Sequence, residues 1–377
     1  MQRRRAIHTD ARLIQSNGVA EVFVTANPTE ALPLSGQAEA LFSAVADTLR
    51  SRKAHIVQER IFGTDAALQR ALPVRKAVYG DLDDGVPPVL LSVPEGPYGR
   101  LCGIQVHAVS CDKAPTIVRS GDTVCGRRLE ANGLGYLTLS GLAAPTAGAN
   151  TDQARTIFEK AASILREVGA DMYSVARTWL WLEDILSWYD EFNGVRSSFF
   201  RECGIIEGGR HENRLPASTG IGVGPAGRAL CALDVIATIG EKACIKYHRA
   251  AGMQHPPFEY GSAFSRAATA QTPAGKTTYV SGTAAIDEAG VTQHVDDAKG
   301  QIDMTIANVQ AVLRDIGCTD ADVVHAIAYS KTPEIQEVFH RDWADLGWPC
   351  ISVISDICRD DLLFEVEATA CPGAQTV

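Results

Sequence analysis

The chain repeats one pattern of strands and helices, and nothing else in it narrows the possible fold so far. Toward the C-terminus a short strand-like run at 279–284 passes through a turn at Glu288-Ala289-Gly290 into an amphipathic stretch over 296–316. There Ile302, Ile306, Val309, Val312 and Leu313 recur at three and four residues, the spacing that lines one face of a helix. A strand at 323–330, a helix at 333–346, a strand at 350–357 and a closing strand at 362–370 follow, and a first strand belongs near Phe264. The order is β-β-α-β-α-β-β. In the closing strand, alternation sets Leu363, Glu365 and Glu367 on one face and Phe364, Val366 and Ala368 on the other.

The same order occurs twice more. In the middle, a strand at 135–141 ends in Ser140-Gly141, matching Ser281-Gly282, and leads into a helix at 152–169. A strand at 174–182, a helix at 185–201 and strands at 219–223 and 230–239 complete that copy. The N-terminal copy reads as strand 21–25, helix 35–50, strand 55–63, helix 65–78, and strands 89–93 and 102–109. A repeated supersecondary unit means repeated modules, expected at 1–112, 113–245 and 246–377, with joints at Asp112-Lys113-Ala114-Pro115 and near Pro256-Pro257.

Composition removes several classes of function. An apolar content of 46% suits a globular protein of 377 residues. With 35 Lys+Arg against 45 Asp+Glu the net charge is −10, the wrong sign for a general nucleic-acid binder. No apolar run approaches the ~18 residues that span a bilayer, so no membrane partner is expected. Arg3-Arg4-Arg5 is followed by polar His8-Thr9-Asp10 in place of an apolar signal core. The ten cysteines form no CxxC pair and read as thiols of a reducing cytoplasm. The nine histidines show no HExxH spacing, so no metal and no cofactor is expected.

The motifs of the last module resemble the Rid (YjgF) superfamily and, at its end, the chorismatases. Tyr279-Val280-Ser281-Gly282-Thr283, Asp296-Asp297-Ala298 with Gln301 and Asn308, Trp348-Pro349, and the run Cys358-Arg359-Asp360-Asp361 through Glu365 and Glu367 carry the likeness. The middle module adds Phe192-Asn193, Phe199-Phe200 and Leu215-Pro216-Ala217-Ser218-Thr219-Gly220. The resemblance implies an α+β protein of three tandem modules, each a β-sheet backed by two helices, closing into an intramolecular pseudo-trimer with clefts between modules. Such a chain is expected as a monomeric pseudo-trimer or a homo-oligomer.

It also implies where chemistry sits. In Rid deaminases a Glu in the final strand handles protons, and an Arg after an aromatic-Pro pair holds a carboxylate. Here the Glu position is Glu365, with Ala232 and Gln105 in the other copies; the Arg positions hold Ile351, Ser218 and Leu90. Without the Arg clamp the imine-deaminase reading is the weaker one. The likeness instead implies a chorismatase-like enzyme acting on a small anionic enol ether. Glu365 would be its acid, and Cys358, seven residues earlier, would shape the pocket as in the 3-hydroxybenzoate-forming subgroup. A dianionic substrate needs cations, drawn from Arg177, Arg196, Arg214, Arg266 and Arg359, with Phe264 and Asn193 as further contacts. The alternatives are a Rid-type imine or enamine hydrolase or cyclisation catalyst, and a metabolite-binding protein without turnover. The aromatic run Trp179, Trp181, Trp188 and Tyr189 reads as packing between modules, and His107 as a buried or interfacial residue.

Overall fold

The computed structural model describes residues 6–206 and 214–377; the basic Arg3–Arg5 run lies outside them. The first module runs β1 (Ile7–Ser16), β2 (Val19–Pro28), α1 (Leu34–Arg52), β3 (His55–Gly63), α2 (Asp65–Tyr79), β4 (Val89–Ser92) and β5 (Leu101–Ser110). The second runs β6 (Thr116–Ser120), β7 (Thr123–Ala131), β8 (Leu134–Ala143), α3 (Asn150–Glu167), β9 (Val175–Leu182), α4 (Tyr189–Glu202), β10 (Ala217–Ile221), β11 (Gly224–Pro225) and β12 (Cys231–Ile239). The third runs β13 (Ile245–His248), β14 (Ala267–Thr272), β15 (Gly275–Ala284), α5 (Ala298–Ile316), β16 (Val323–Ser330), α6 (Pro333–Asp342), β17 (Cys350–Ile354) and β18 (Phe364–Ala370). A final β19 (Gln375–Thr376) returns to pair with β1.

This is the α+β, three-module architecture expected from the sequence. The sheet orders are β4-β3-β5-β2-β1, β10-β9-β12-β8-β7 and β17-β16-β18-β15-β14, one topology three times over. Short strands stitch the modules: β11 of the second joins the edge of the first sheet, and β19 joins its other edge. The sequence missed β1, β6, β7 and β13 as strands because their polar and small residues alternate weakly. The burial of β6 runs e-e-B-e-i, leaving little apolar periodicity to read.

Each helix forms where its apolar stripe predicts. In α5 the predicted face, Ile302, Ile306, Val309, Val312 and Leu313, is buried, each side chain contributing roughly 1.5–3 kcal/mol by leaving water. Asp297 caps its start by accepting from the Gly300 N–H at 3.0 Å, and Gly317 ends it at φ 83°, a left-handed conformation glycine adopts without penalty.

Apolar burial falls into four cores. Three lie chiefly between one sheet and its own helices: Leu41, Phe42 and Val106 in the first module, Phe158, Phe192 and Val235 in the second, Ile306, Val309 and Val366 in the third. The fourth is common to all modules, with Phe23, Val57, Trp179, Trp181, Tyr279 and Ile327 in one cluster. The three sheets therefore present their second faces to each other and keep their helices outside.

Polar groups on the closing strands cross the junctions in one rotational sense. Gln105 of β5 donates to Ala326 O of the third module at 2.8 Å. Asp234 of β12 accepts from Arg60 Nε of the first at 3.0 Å and from the Gly141 N–H at 2.7 Å. Glu367 of β18 accepts from Arg177 Nη2 of the second at 2.7 Å and from Trp179 Nε1 at 2.6 Å. Both ion pairs are buried, so removing one partner strands a charge. Asp234→Ala should lower the unfolding free energy by about 3–5 kcal/mol, measured by urea denaturation, while a double Arg60→Met, Asp234→Leu exchange should lose far less.

Candidate functional site

The site forms where the third module docks on the edge of the second. The Ser281 hydroxyl accepts from the Ser218 N–H at 2.8 Å and donates to Ser265 O at 2.6 Å. The Gly282 N–H reaches Thr219 Oγ1 at 3.0 Å. A bulge in the β15–β18 pairing between Val280 and Thr283 turns this Ser-Gly pair toward its neighbour, as bulges re-aim strands. The shared Ser-Gly motif of the repeats is here a docking element.

Glu365 sits behind it. It pairs with Ala284 and Tyr329 and points away from Phe364, Val366 and Ala368, which belong to the helix-side core. Strand alternation read from the sequence placed it correctly. The side chain is 5% exposed, and its carboxyl makes no hydrogen bond with any described residue, leaving its oxygens to a small cavity. A Cβ on Gly282 would collide with Glu365 Oε1 and lie 3.1 Å from Thr219 Cγ2. Only glycine leaves room for the acid.

That cavity, about 50 Å³, brings together most of the residues singled out from the sequence. Glu365, Cys358, Arg359, Arg266 and Phe264 line it from the third module, and Tyr189, Ser218 and Gly220 from the second. Arg266 donates to His255 O at 3.1 Å and Arg359 to Gly290 O at 2.7 Å. Arg196 stands one layer back, its guanidinium 5.6 Å from the Phe264 ring centre.

Three expected contacts lie elsewhere. Arg177 is committed to Glu367 and, at 2.6 Å, to Thr219 Oγ1; it braces the junction and does not line the cavity. Asn193 accepts from Arg196 Nη2 at 2.5 Å and supports that side chain from outside the wall. Arg214 lies against the Tyr173 ring. The register also corrects one assignment: Phe62–Gly103, Trp181–Ala232 and Tyr329–Glu365 are equivalent pairs, so the acid's counterpart in the first module is Gly103, and Gln105 matches Glu367. Bulges in these ladders shift the count by two residues. Tyr189 was read as packing, yet it forms a wall of the cavity, whereas Trp179 and Trp181 pack in the shared core and Trp188 in the helix-side core of its module. His107 is buried, 3.0 Å from Glu21 and stacked on Phe23.

Electrostatics give the cavity an acid that holds its proton. Burial, reinforced by the Glu367 charge two residues on and only partly opposed by Arg177 and Arg266, pushes Glu365 up to about 8. Burial likewise pushes the Cys358 thiol up to about 12, so it is a neutral wall and no nucleophile. Tyr189 is pushed up to about 12 and remains a phenol. The arrangement can hand a proton to a bound molecule and hold anionic groups nearby. Among the described residues no cluster of His, Cys, Asp and Glu could hold a metal ion.

The family model described as Endoribonuclease L-PSP matches residues 260–371. A chorismatase crystal structure superposes with a TM-score of 0.59 at 21% identity, covering 84% of this chain and 93% of that one. A YjgF-family protein from Mycobacterium tuberculosis is 22% identical over 34% of this chain and 98% of its own, with a TM-score of 0.26. The YjgF gene product of E. coli is 16% identical over 29% of this chain and 87% of its own, with a TM-score of 0.23. No curated relative matches by sequence. Residues 260–371 thus match the model of that family, and the chain as a whole shares the fold of the chorismatase structure. No described helix is long and apolar enough to cross a membrane.

A buried acid with a raised pKa has a signature in stability. The folded chain holds the Glu365 proton up to about pH 8 while the unfolded chain releases it near 4.5, so stability falls as pH climbs between these values. Glu365→Gln should remove that loss and melt above wild type at alkaline pH, and it should abolish a protonated-carboxyl infrared band titrating near pH 8. A band titrating near 4.5 in the wild type would mean a solvated carboxylate.

Proposed function

We propose that the chain is a chorismatase-type enzyme, a covalent pseudo-trimer with its active cleft between the second and third modules. The observation that carries the reading is the neutral, buried carboxyl of Glu365 facing a cavity walled by Arg266 and Arg359. An enol ether bearing a carboxylate needs a strong, correctly placed acid to protonate its methylene carbon. Glu365 gives its proton to that carbon, and the resulting cation adds water at the adjacent carbon. The water's proton returns to the Glu365 carboxylate, and the hemiketal collapses to pyruvate and the ring alcohol; a hydroxybenzoate-type product follows only when that dihydrodiol loses one molecule of water. Arg266 and Arg359 are the cations for the substrate's two carboxylates, and charge-assisted bonds to them are worth roughly 1.5–3 kcal/mol each. Cys358, a neutral thiol beside the acid, shapes the product side.

The cavity of about 50 Å³ is well below the ~300 Å³ of ordinary ligand pockets. Substrate therefore binds as the segments 262–266 and 358–362, which close it, move apart. The acid loses its proton above about pH 8, so turnover falls about tenfold per pH unit beyond that point. A second reading, hydrolysis of an imine or enamine, draws on the family match of residues 260–371 but lacks the usual Arg, since Ile351 fills that position. Cleavage of RNA is disfavoured by the net charge of −10 and the enclosed cavity.

The test is purified protein with chorismate and coupled detection of pyruvate. Pyruvate should appear, and Glu365→Gln should lower kcat by at least about a hundredfold with the fold intact by circular dichroism. No pyruvate at high enzyme concentration would reject this reading, and turnover of an imine panel would then favour the second one. Binding of chorismate without either reaction would make the chain a metabolite-binding protein.

A further inference from the structure

A cleft roomier than the acid cavity lies at another junction. Between the third and first modules, α6 and β17 face β2 and the loop joining β4 to β5 around a cavity of about 310 Å³. These are the same structural elements that build the acid cleft, one module on. The contents differ: Gly103 stands in the acid's place in the strand register, and the described lining holds no Asp, Glu, Lys or Arg.

Aromatic rings dominate it instead. Phe339, Trp343, Trp348 and Tyr98 line the cavity. Both indole N–H groups are turned to carboxylates outside it, Trp343 Nε1 to Asp303 at 3.0 Å and Trp348 Nε1 to Asp320 at 3.1 Å. The rings are thereby fixed with their carbon surfaces left for the cavity. Polar groups in the wall are mostly committed within the protein. Asn27 donates to Cys350 O at 2.8 Å, Gln37 ties the Tyr98 carbonyl at 3.0 Å, and Ser352 Oγ accepts from Gln336 at 3.0 Å. The Ser352 hydroxyl proton remains to be donated. The two thiols, Cys102 and Cys350, are both pushed up to about 12 by burial and carry no charge.

We infer that this cleft is a second binding site, for a small uncharged aromatic molecule of one or two fused rings. Its volume is at the lower end of small-molecule sites, and stacked or edge-on rings favour a flat π-system. A carboxylate would lose its hydration there, and the one ionisable base in the lining, His340, has its charged form disfavoured by burial. The site is thus the chemical opposite of the acid cleft, which gathers cations around an anionic substrate, and it does not depend on the reaction proposed for that cleft.

The experiment uses the full chain, with indole as the neutral probe and benzoate as its anionic counterpart, followed by saturation-transfer NMR. Indole should bind saturably at millimolar concentration and benzoate should not displace it. Trp343→Ala should weaken indole binding about tenfold, the loss of one aromatic contact. Cys102→Phe, which fills the cavity without removing a packed ring, should abolish it, and Glu365→Gln should leave it unchanged. No saturable indole signal, equal binding of benzoate, or binding that survives both Trp343→Ala and Cys102→Phe would overturn the assignment.

Discussion

The Glu367 carboxylate holds the junction of the second and third modules together. It takes one hydrogen bond from Arg177 and one from Trp179, both on β9 of the preceding module, and so fixes β18 against a neighbour it does not pair with. Glu365 lies two residues earlier on the same face, and its position follows from that anchorage. The two carboxylates are also coupled through charge. Burial raises the Glu365 pKa most, and the charge of Glu367 adds to that rise. The ion pair accordingly sets the geometry of the junction, while burial is the larger cause that keeps the acid beside it protonated.

The counterparts of Glu367 are Asp234 and Gln105. Asp234 keeps an ion pair with Arg60, while Gln105 makes a neutral amide bond to a backbone carbonyl. The neutral junction is the one whose flanking cleft is lined by rings and uncharged thiols. The ionic junction of the third module flanks the cleft with arginines and an acid. Shared topology has thus been filled with opposite chemistry. Nothing in the sheet geometry demands charge in a cleft; the side chains projecting from two edge strands decide it.

Much of the fold was legible in the sequence because apolar periodicity is strong where a face is buried on one side. Strand β16 was placed at 323–330, as found, and the buried stripe of α5 was read residue by residue. Edge strands such as β6 and β13 were lost, since half-exposed residues carry no such pattern. In the cavity, Cys358, Arg359 and Glu365 were legible because motif and alternation placed them on one stretch of chain, and Phe264 and Arg266 were singled out from a second stretch before β14. Arg177 was misjudged for a different reason: its partner Glu367 is 190 residues away, and sequence gives no account of which charges meet across a junction. The equivalence of Gly103 to Glu365 was hidden by bulges, which add residues to one strand without changing its apolar rhythm.

Joining the modules in one polypeptide frees them from identity. In an assembly of three equal copies, any substitution at a cleft would be made three times, and a change that suited one opening would alter all of them. Here each opening is encoded by its own stretches of chain, so a glycine can replace an acid at one without disarming another. Specialisation of the three surfaces could proceed one mutation and one cleft at a time.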